Sequence, residues 1–358
     1  MRHTLSYIGT AFLLLVAGAC TDKTDSDREQ NTKGTPLMVR AELHSGEVND
    51  EADYKAFAAG KQIHIYYAHN NLENTYNFLQ GIYQMPDTGN KTSNWIATEW
   101  TSEGGEQMNS IYLEDIKTPN SNNRYYFTAT SYPEPRAAGA DGSVYEVAQD
   151  QTKLTDGFEK YDFLAARAIY SDEDWKDASN GITLHFRHLL CQLRVQLILP
   201  KGTANDGFFP NPANASIETT LAGKRYQYTV TFNNRTETGE IFGINIPESA
   251  EAGDLKMRKN NVSGPSIINS RESYIHTFAA ILPKQTLYGG KQILFTINGD
   301  SYSYTLPTAN TILLEQEKIT TIQLTVLSGS GKQKVTLDKV TLEDWKEDKA
   351  DIGDLTPQ

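Results

Sequence analysis

Cysteine is scarce in this sequence, with Cys20 and Cys191 the two present among 358 residues. Two cysteines build neither a disulfide framework nor a multi-cysteine zinc site, so packing must hold the fold together. Runs rich in lysine and arginine are also missing, and the formal net charge is −12, from 33 basic and 45 acidic residues. A protein that binds nucleic acid needs a basic patch against the phosphates, so we expect no nucleic acid partner.

Signatures of common catalytic sites are missing as well. The sequence has no Gly-x-Ser-x-Gly elbow, which removes the usual esterase nucleophile. Its Gly-Lys pairs lack the upstream glycine and the following Ser or Thr of a phosphate-binding loop. His185 and His188 are three residues apart on a predicted strand, where they point to opposite faces and cannot share a metal ion. We therefore expect none of these catalytic sites, and no cofactor or metal site.

Two further candidates for chemistry are weak. Cys191 lies among leucines, and we expect it to be a buried, unreactive thiol. Acidic pairs such as Glu173/Asp174 and Glu343/Asp344 leave a glycosidase formally open, because the distance between two carboxylates cannot be read from a sequence.

One hydrophobic run, Ile8–Val16, is too short to cross a bilayer as a helix but suits the core of a signal peptide. The residues Val16–Cys20 that complete it resemble the lipobox of bacterial lipoproteins, with Ala17 standing where leucine is more common. We predict a signal peptide over residues 1–19 and lipidation of Cys20, whose acyl chains would anchor the protein in a membrane. The alternative is an ordinary signal peptide cleaved near Ala19, with Cys20 incidental.

The segment after Cys20 is polar. Thr21–Gly34 contains no apolar residue, so residues 20–35 are predicted to form a flexible, lipidated tether. Its acidic start resembles the signal that directs lipoproteins of Bacteroides-type bacteria to the outer face of the outer membrane. An acidic linker that carries no such signal is the alternative. We expect a cell-surface location.

The rest of the chain alternates apolar and polar residues over short runs, which is typical of β-strands. Strands are predicted at Pro36–Leu43, Gln62–Ala68, Arg124–Ser131, Tyr226–Phe232, Glu240–Ile246, Ile275–Leu282, Thr321–Leu327 and Lys334–Leu342. Many short antiparallel strands favour β-sandwiches. The length suggests two domains, and the polar segment Asp172–Gly181 predicts their division into residues 36–180 and 181–358.

Two segments predict strand details. The apolar faces of Leu184–Leu190 and Leu193–Leu199 predict one long strand, with a bulge near Leu189–Cys191. Ile293–Leu306 predicts a hairpin, in which Asn298-Gly299 supplies the positive φ angles of a tight turn.

Four segments together resemble motifs of the fimbrillin family of Bacteroides-type bacteria, which comprises subunits of donor-strand-assembled pili and related surface lipoproteins. They are similar, in order, to an Asp-Leu-Leu-x-Ala motif, an apolar-x-Phe-x-His strand, a Pro-Gln turn and a terminal apolar-x-x-Trp. The segments are Tyr161–Ala166, Leu184–Val195, Ala280–Gln285 (with one inserted Lys) and Val340–Trp345. No single motif is specific, and the resemblance depends on their order behind a lipobox.

The resemblance implies an all-β fold of two transthyretin-like Greek-key β-sandwich domains in tandem, and no enzyme activity. It implies a cell-surface fimbrial subunit, or a fimbrillin-like lipoprotein, that supports adhesion and assembles by donor-strand complementation. In such assembly, removal of a first strand exposes a hydrophobic groove, which a strand of the next subunit fills. The implied partners are other fimbrial subunits, the outer membrane through the lipid anchor, and ligands on host or bacterial surfaces.

The sequence departs from the family at its expected processing site. Many fimbrillins are cut after an arginine in the loop that follows the first strand, but no arginine occurs between Ala41 and Asn123. The expected loop, Gly46–Tyr54, is followed only by Lys55. Three alternatives stay open: an anchoring subunit that keeps its first strand, a subunit cut by another specificity, and a lipoprotein that never polymerises.

Aromatic residues keep a second function open. Trp95, Trp100 and the tyrosine-rich stretches, if exposed in a row on one face, would suit a glycan-binding outer-membrane lipoprotein of a polysaccharide-uptake system. Packing between strands is the alternative for these residues. A surface hydrolase, the third function considered, would need convergent polar residues in a deep pocket, and the sequence shows no such set.

Overall fold

The computed structural model describes residues 37–44, 54–55, 57, 59–69, 79–87, 93–101, 107–108, 124–131, 144–153, 162–171, 173–174, 181–232, 242–328 and 334–345. The predicted signal peptide, Cys20 and the predicted tether lie outside these residues. No helix in this part of the chain is long and apolar enough to cross a membrane.

Strands make up most of the described chain. In order they are β1 (Val39–His44), β2 (Tyr54–Lys55), β3 (Gln62–His69), β4 (Leu79–Gln84), β5 (Ile96–Thr101), β6 (Gln107–Met108), β7 (Arg124–Ser131), β8 (Val144–Glu146), β9 (Leu164–Ser171), β10 (Ile182–His188), β11 (Cys191–Pro200), β12 (Ile217–Arg225), β13 (Gln227–Phe232), β14 (Phe242–Asn245), β15 (Ala252–Lys256), β16 (Arg258–Ile268), β17 (Arg271–Leu282), β18 (Gln285–Leu287), β19 (Gly290–Ile297), β20 (Asp300–Leu306), β21 (Ile312–Leu314), β22 (Lys318–Leu327) and β23 (Lys334–Asp344). Short 3-10 turns occur at Ala204–Asp206 and Pro212–Asn214.

The all-β prediction is confirmed, and each of the eight strands predicted singly overlaps an observed strand. The predicted hairpin is also confirmed, since β19 pairs with β20 and the turn has φ angles of 52° at Asn298 and 93° at Gly299. The assignment to two transthyretin-like Greek-key sandwiches stays a prediction.

The strands form several sheets. The largest has the order β2-β1-β10-β9-β7-β3-β4-β5-β6, and a second has the order β16-β17-β11-β22-β23. A four-stranded sheet, β15-β12-β19-β20, and the smaller sheets β14-β13-β8 and β18-β21 complete the set among the described residues.

Buried apolar side chains form two clusters. The first core draws its residues from Leu37 to Phe186, and the second core draws its residues from Tyr145 to Trp345. Strand β9 contributes to both, because Leu164 and Ala166 belong to the first core and Ala165 belongs to the second. The two domains, residues 36–180 and 181–358, stay a prediction.

The prediction of one long strand over residues 184–199 is wrong, because these residues form two strands in different sheets. Strand β10 ends at His188 and β11 begins at Cys191. The residues between them, Leu189 and Leu190, are fully buried, as is Cys191. A strand with one solvent-exposed face cannot bury consecutive residues. The chain therefore passes from the first core to the second at these residues.

Candidate functional site

Strand β1 lies near the end of the nine-stranded sheet. It pairs in parallel with β10, with Val39–Leu43 opposite Ile182–Phe186. On its other side it pairs with β2 at two positions, Leu43 with Lys55 and His44 with Tyr54. Among the described residues, β10 is therefore the strand that holds β1 along its length.

The side chains of β1 and the residue before it complete the first core. Leu37, Val39, Ala41 and Leu43 are at most 3% exposed, and they share one face because alternate residues of a strand do so. Full burial of a valine or leucine stabilises the fold by about 1.5–3 kcal/mol relative to exposure. Loss of β1 would therefore leave an apolar groove beside β10.

The start of β1 is held by backbone contacts that require a close approach. The Ile182 N–H donates to Met38 O at 2.8 Å, and the Trp95 N–H donates to Val39 O at 2.7 Å. Gly181 has φ +82°, and a Cβ there would lie 2.2 Å from Met38 O. Glycine is thus needed at this position on two grounds, the left-handed conformation and the contact.

Strand β23 ends the order of the five-stranded sheet and pairs along its length with β22. A bulge at Asp338, whose Oδ2 accepts a hydrogen bond from Thr325 Oγ1 at 2.6 Å, keeps three apolar residues on one face. Leu337, Val340 and Leu342 are 37–48% exposed, whereas their partners on β22 are buried. The apolar face of β23 is therefore only partly covered.

Three of the four resemblance segments meet in one buried cluster. The His188 Nδ1 hydrogen-bonds Asp162 Oδ2, and the His188 ring stacks on Trp345 with centroids 4.0 Å apart and planes 5° from parallel. All three side chains are at most 5% exposed. The cluster joins the residues before β9, the end of β10 and the residue after β23, at the point where the chain changes cores.

Burial affects the titration of Asp162 in this cluster. It raises the pKa of Asp162, although the contact with His188 and hydrogen bonds from the Phe163 and Leu190 N–H groups favour the carboxylate. The cluster lies away from solvent, so a substrate cannot reach it. Its geometry suits a structural role, in which the three side chains hold the crossover between the two cores in place. This explains in physical terms why a histidine lies at this end of β10.

Three other residues considered for chemistry lie on strands beside charged partners. His185 lies on the outer face of β10, 3.8 Å from Glu42, and faces away from His188. Glu343 and Asp344 pair with Arg194 and Lys318. No group of three or more potential metal ligands occurs within the described ranges.

Several aromatic residues considered for sugar stacking lie in the first core. Tyr67, Tyr83, Tyr125 and Trp95 are at most 4% exposed, so these four form no exposed row. Trp100, Tyr76 and Tyr132 have side chains outside the described set. Tyr288 is 67% exposed and could not be identified from the sequence, because a single tyrosine beside Gly289-Gly290 forms no pattern.

Cys191 is buried, as predicted, and its Sγ donates to Leu282 O at 3.0 Å. Burial raises the pKa of this thiol, which suppresses the reactive thiolate. We expect a protein of residues 21–358, which lacks Cys20, to leave a thiol reagent unconsumed when folded and to consume one equivalent in denaturant. Rapid labelling of the folded protein, followed by mass spectrometry, would contradict this burial.

Comparison with known proteins adds a family match. A family model described as fimbrillin-like matches residues 51–345. A solved structure from Bacteroides uniformis ATCC 8492, provisionally described as a cell adhesion protein, is 17% identical with a TM-score of 0.50, over 87% of this chain and 98% of that chain. One from Bacteroides ovatus ATCC 8483 with the same description is 17% identical with a TM-score of 0.52, over 88% and 99%. At this identity the two structures show a shared fold, and none of the curated proteins matches.

Proposed function

Because the chain belongs to the fimbrillin-like family, we propose that it is a cell-surface fimbrial subunit, or a fimbrillin-like lipoprotein, that supports adhesion. The observation that carries this proposal is the family match over residues 51–345. The role is one of binding and assembly, without enzyme activity. Its fold is proposed to be two tandem transthyretin-like Greek-key β-sandwiches, residues 36–180 and 181–358.

Assembly is proposed to proceed by donor-strand complementation. The apolar face of β1 is buried, while its outer edge pairs with β2 at only two described positions. A strand with the same alternation could therefore take its place beside β10. Strand β23, at a sheet edge with alternating side chains, is the segment of a neighbouring subunit proposed to act as donor.

Electron microscopy of cells with and without the protein tests the fimbrial role. We expect the deletion to remove surface fimbriae, or to detach them from the cells if the protein is an anchoring subunit. Complementation with the full-length chain is the control. Fimbriae unchanged in number, length and attachment would contradict the role of a subunit and leave the non-polymerising lipoprotein.

Membrane anchoring is proposed to occur through lipid on Cys20, at the outer membrane and facing the cell surface. Acyl chains bind a membrane by about 0.8 kcal/mol per buried methylene, so several chains hold a protein durably. Cys20→Ala should therefore move the protein from the membrane fraction to the soluble fraction, whereas Cys191→Ala should leave it in the membrane. Mass spectrometry of the wild-type mature protein should find an acylated Cys20, and an unmodified cysteine there would refute the anchor.

A further inference from the structure

A cavity of about 780 Å³ lies where two strands of the four-stranded sheet separate. The antiparallel pairing of β12 with β19 runs from Ile217–Ile297 to Leu221–Ile293 and ends there. The cavity occupies the fork beyond this point, between the end of β12, strand β18 and the start of β19.

Two β-bulges shape this fork. Before the first bulge, the buried residues of β12 are every second one, ending at Leu221. Continued alternation would place Lys224 on the outer face, but the bulge between Leu221 and Lys224, with Gly223 at φ +59°, turns it inward. The second bulge places Gln292 as the extra residue of β19 opposite β20.

The bulges bring a buried cation into the cavity wall. Lys224 is 5% exposed, and its Nζ donates to Gln292 Oε1 at 2.5 Å. An ammonium group has three N–H donors, and this is the one hydrogen bond that the described residues give the Lys224 Nζ. The Gln292 amide in turn donates to Tyr288 O, which ties the exposed tyrosine to the same wall.

The residues that line the cavity carry positive charge, although the protein as a whole is acidic. Arg225 and Lys291 also line it, and no acidic residue does so among the described lining residues. An acidic residue outside this lining, Asp254, accepts a hydrogen bond through Oδ1 from the Gly223 N–H at 2.8 Å. Burial lowers the pKa of Lys224, and the charge of Asp254 opposes this only in part. An anion in the cavity would supply the counter-charge that the wall lacks.

The size and lining of the cavity favour a sugar acid over a bare anion. A volume of about 780 Å³ far exceeds that of an inorganic anion and falls in the range of small-molecule sites. Tyr288, whose side chain is largely exposed, is among the lining residues, and Gln285 and Thr286 add hydrogen-bonding groups. The turn that carries Tyr288 is tightly packed, since a Cβ on Gly289 would lie 2.4 Å from Thr308 Cα.

We propose that this cavity binds an acidic saccharide, with its carboxylate at Lys224 and a sugar ring against Tyr288. The site goes beyond the fimbrial role and does not depend on strand complementation. It assigns a chemical class to the surface ligand of an adhesive protein.

Calorimetric titration of the soluble protein, residues 21–358, tests the site. The probes are trigalacturonate and 3′-sialyllactose, each with a neutral counterpart, maltotriose and lactose. We expect at least one acidic probe to bind with a dissociation constant of about 1 mM or lower, at least about tenfold more tightly than its counterpart. The affinity should fall as salt concentration rises.

Two variants and a control locate the binding. Lys224→Met keeps the shape of the side chain and removes the charge, and it should weaken binding about tenfold or more. Tyr288→Ala changes an exposed residue and should weaken binding severalfold while leaving the unfolding temperature unchanged, so it serves even if Lys224→Met fails to fold. Lys339→Met, an exposed lysine on β23, should leave binding unchanged.

Several outcomes would overturn the proposal. These are the absence of binding by both acidic probes, equal affinity for acidic and neutral probes, and unchanged affinity in both variants. Competition by sodium sulfate at the same concentration as the saccharide would indicate an adventitious anion only. Because this titration does not measure oligomerisation, a failure to bind saccharide would leave the proposed fimbrial role unaffected.

Discussion

A soluble chain that begins at residue 56, and so lacks β1 and β2, is expected to self-associate or to bind an added peptide of residues 36–43. Burial of Leu37, Val39 and Leu43 together contributes about 4.5–9 kcal/mol, which is comparable with the whole stability of a domain, about 5–15 kcal/mol. Loss of β1 also leaves the free edge of β10 without its partner. An apolar groove beside an unpaired edge is a template for another strand.

The matched chain of residues 21–358 keeps β1 and should stay monomeric. Strand β1 pairs through five positions with β10 and buries one face, so spontaneous release is unfavourable. Light scattering after size exclusion measures the oligomeric state, and fluorescence titration measures peptide binding. A peptide in which Val39, Ala41 and Leu43 are replaced by serine is the control and should not bind. A truncated chain that is monomeric, fully stable and indifferent to the peptide would end the donor-strand hypothesis for this protein.

Replacement of His188 by leucine should destabilise the protein by about 3–5 kcal/mol, because it leaves Asp162 buried without its partner. The stacking on Trp345 is lost as well. Urea unfolding should show a lower midpoint with an unchanged slope. The double variant His188→Leu/Asp162→Leu should recover part of the loss, since it removes the uncompensated carboxylate.

The control lies on the same strand. His185→Leu changes an exposed histidine on the opposite face of β10 and should alter the unfolding free energy by no more than about 0.5 kcal/mol. If His188→Leu unfolds at the wild-type midpoint, the cluster does not lock the crossover between the cores.

The raised pKa of Asp162 also predicts the direction in which the stability of the fold changes with pH. Between the ordinary aspartate pKa and the raised one, the folded state holds a proton that the unfolded state has released. Stability from this group therefore falls as pH rises through that interval. Comparison of wild type with Asp162→Asn across this range should show a difference that changes with pH, and a constant difference would contradict the raised pKa.

Strands that bury one face could be predicted from the sequence. Strands such as β7 and β22, and the Asn298-Gly299 hairpin, follow from alternation and turn chemistry, which are local properties. Strand β9 was missed because it buries consecutive residues between two cores and so shows no alternation. Strand β16 was missed because it is polar and exposed, and it is identified by its pairing with β17.

The order of the resemblance segments determined the family from the sequence alone, and the alternation of apolar residues determined the all-β class. The tertiary structure decided what those segments do. Asp162, His188 and Trp345 are up to 183 positions apart in the chain, and only folding brings them into contact. The break between β10 and β11 likewise depends on a second core that no local pattern encodes. The cavity at Lys224 depends on two bulges, one in β12 and one in β19. These two strands pair although they lie far apart in the sequence, so the positive wall forms only with the sheet.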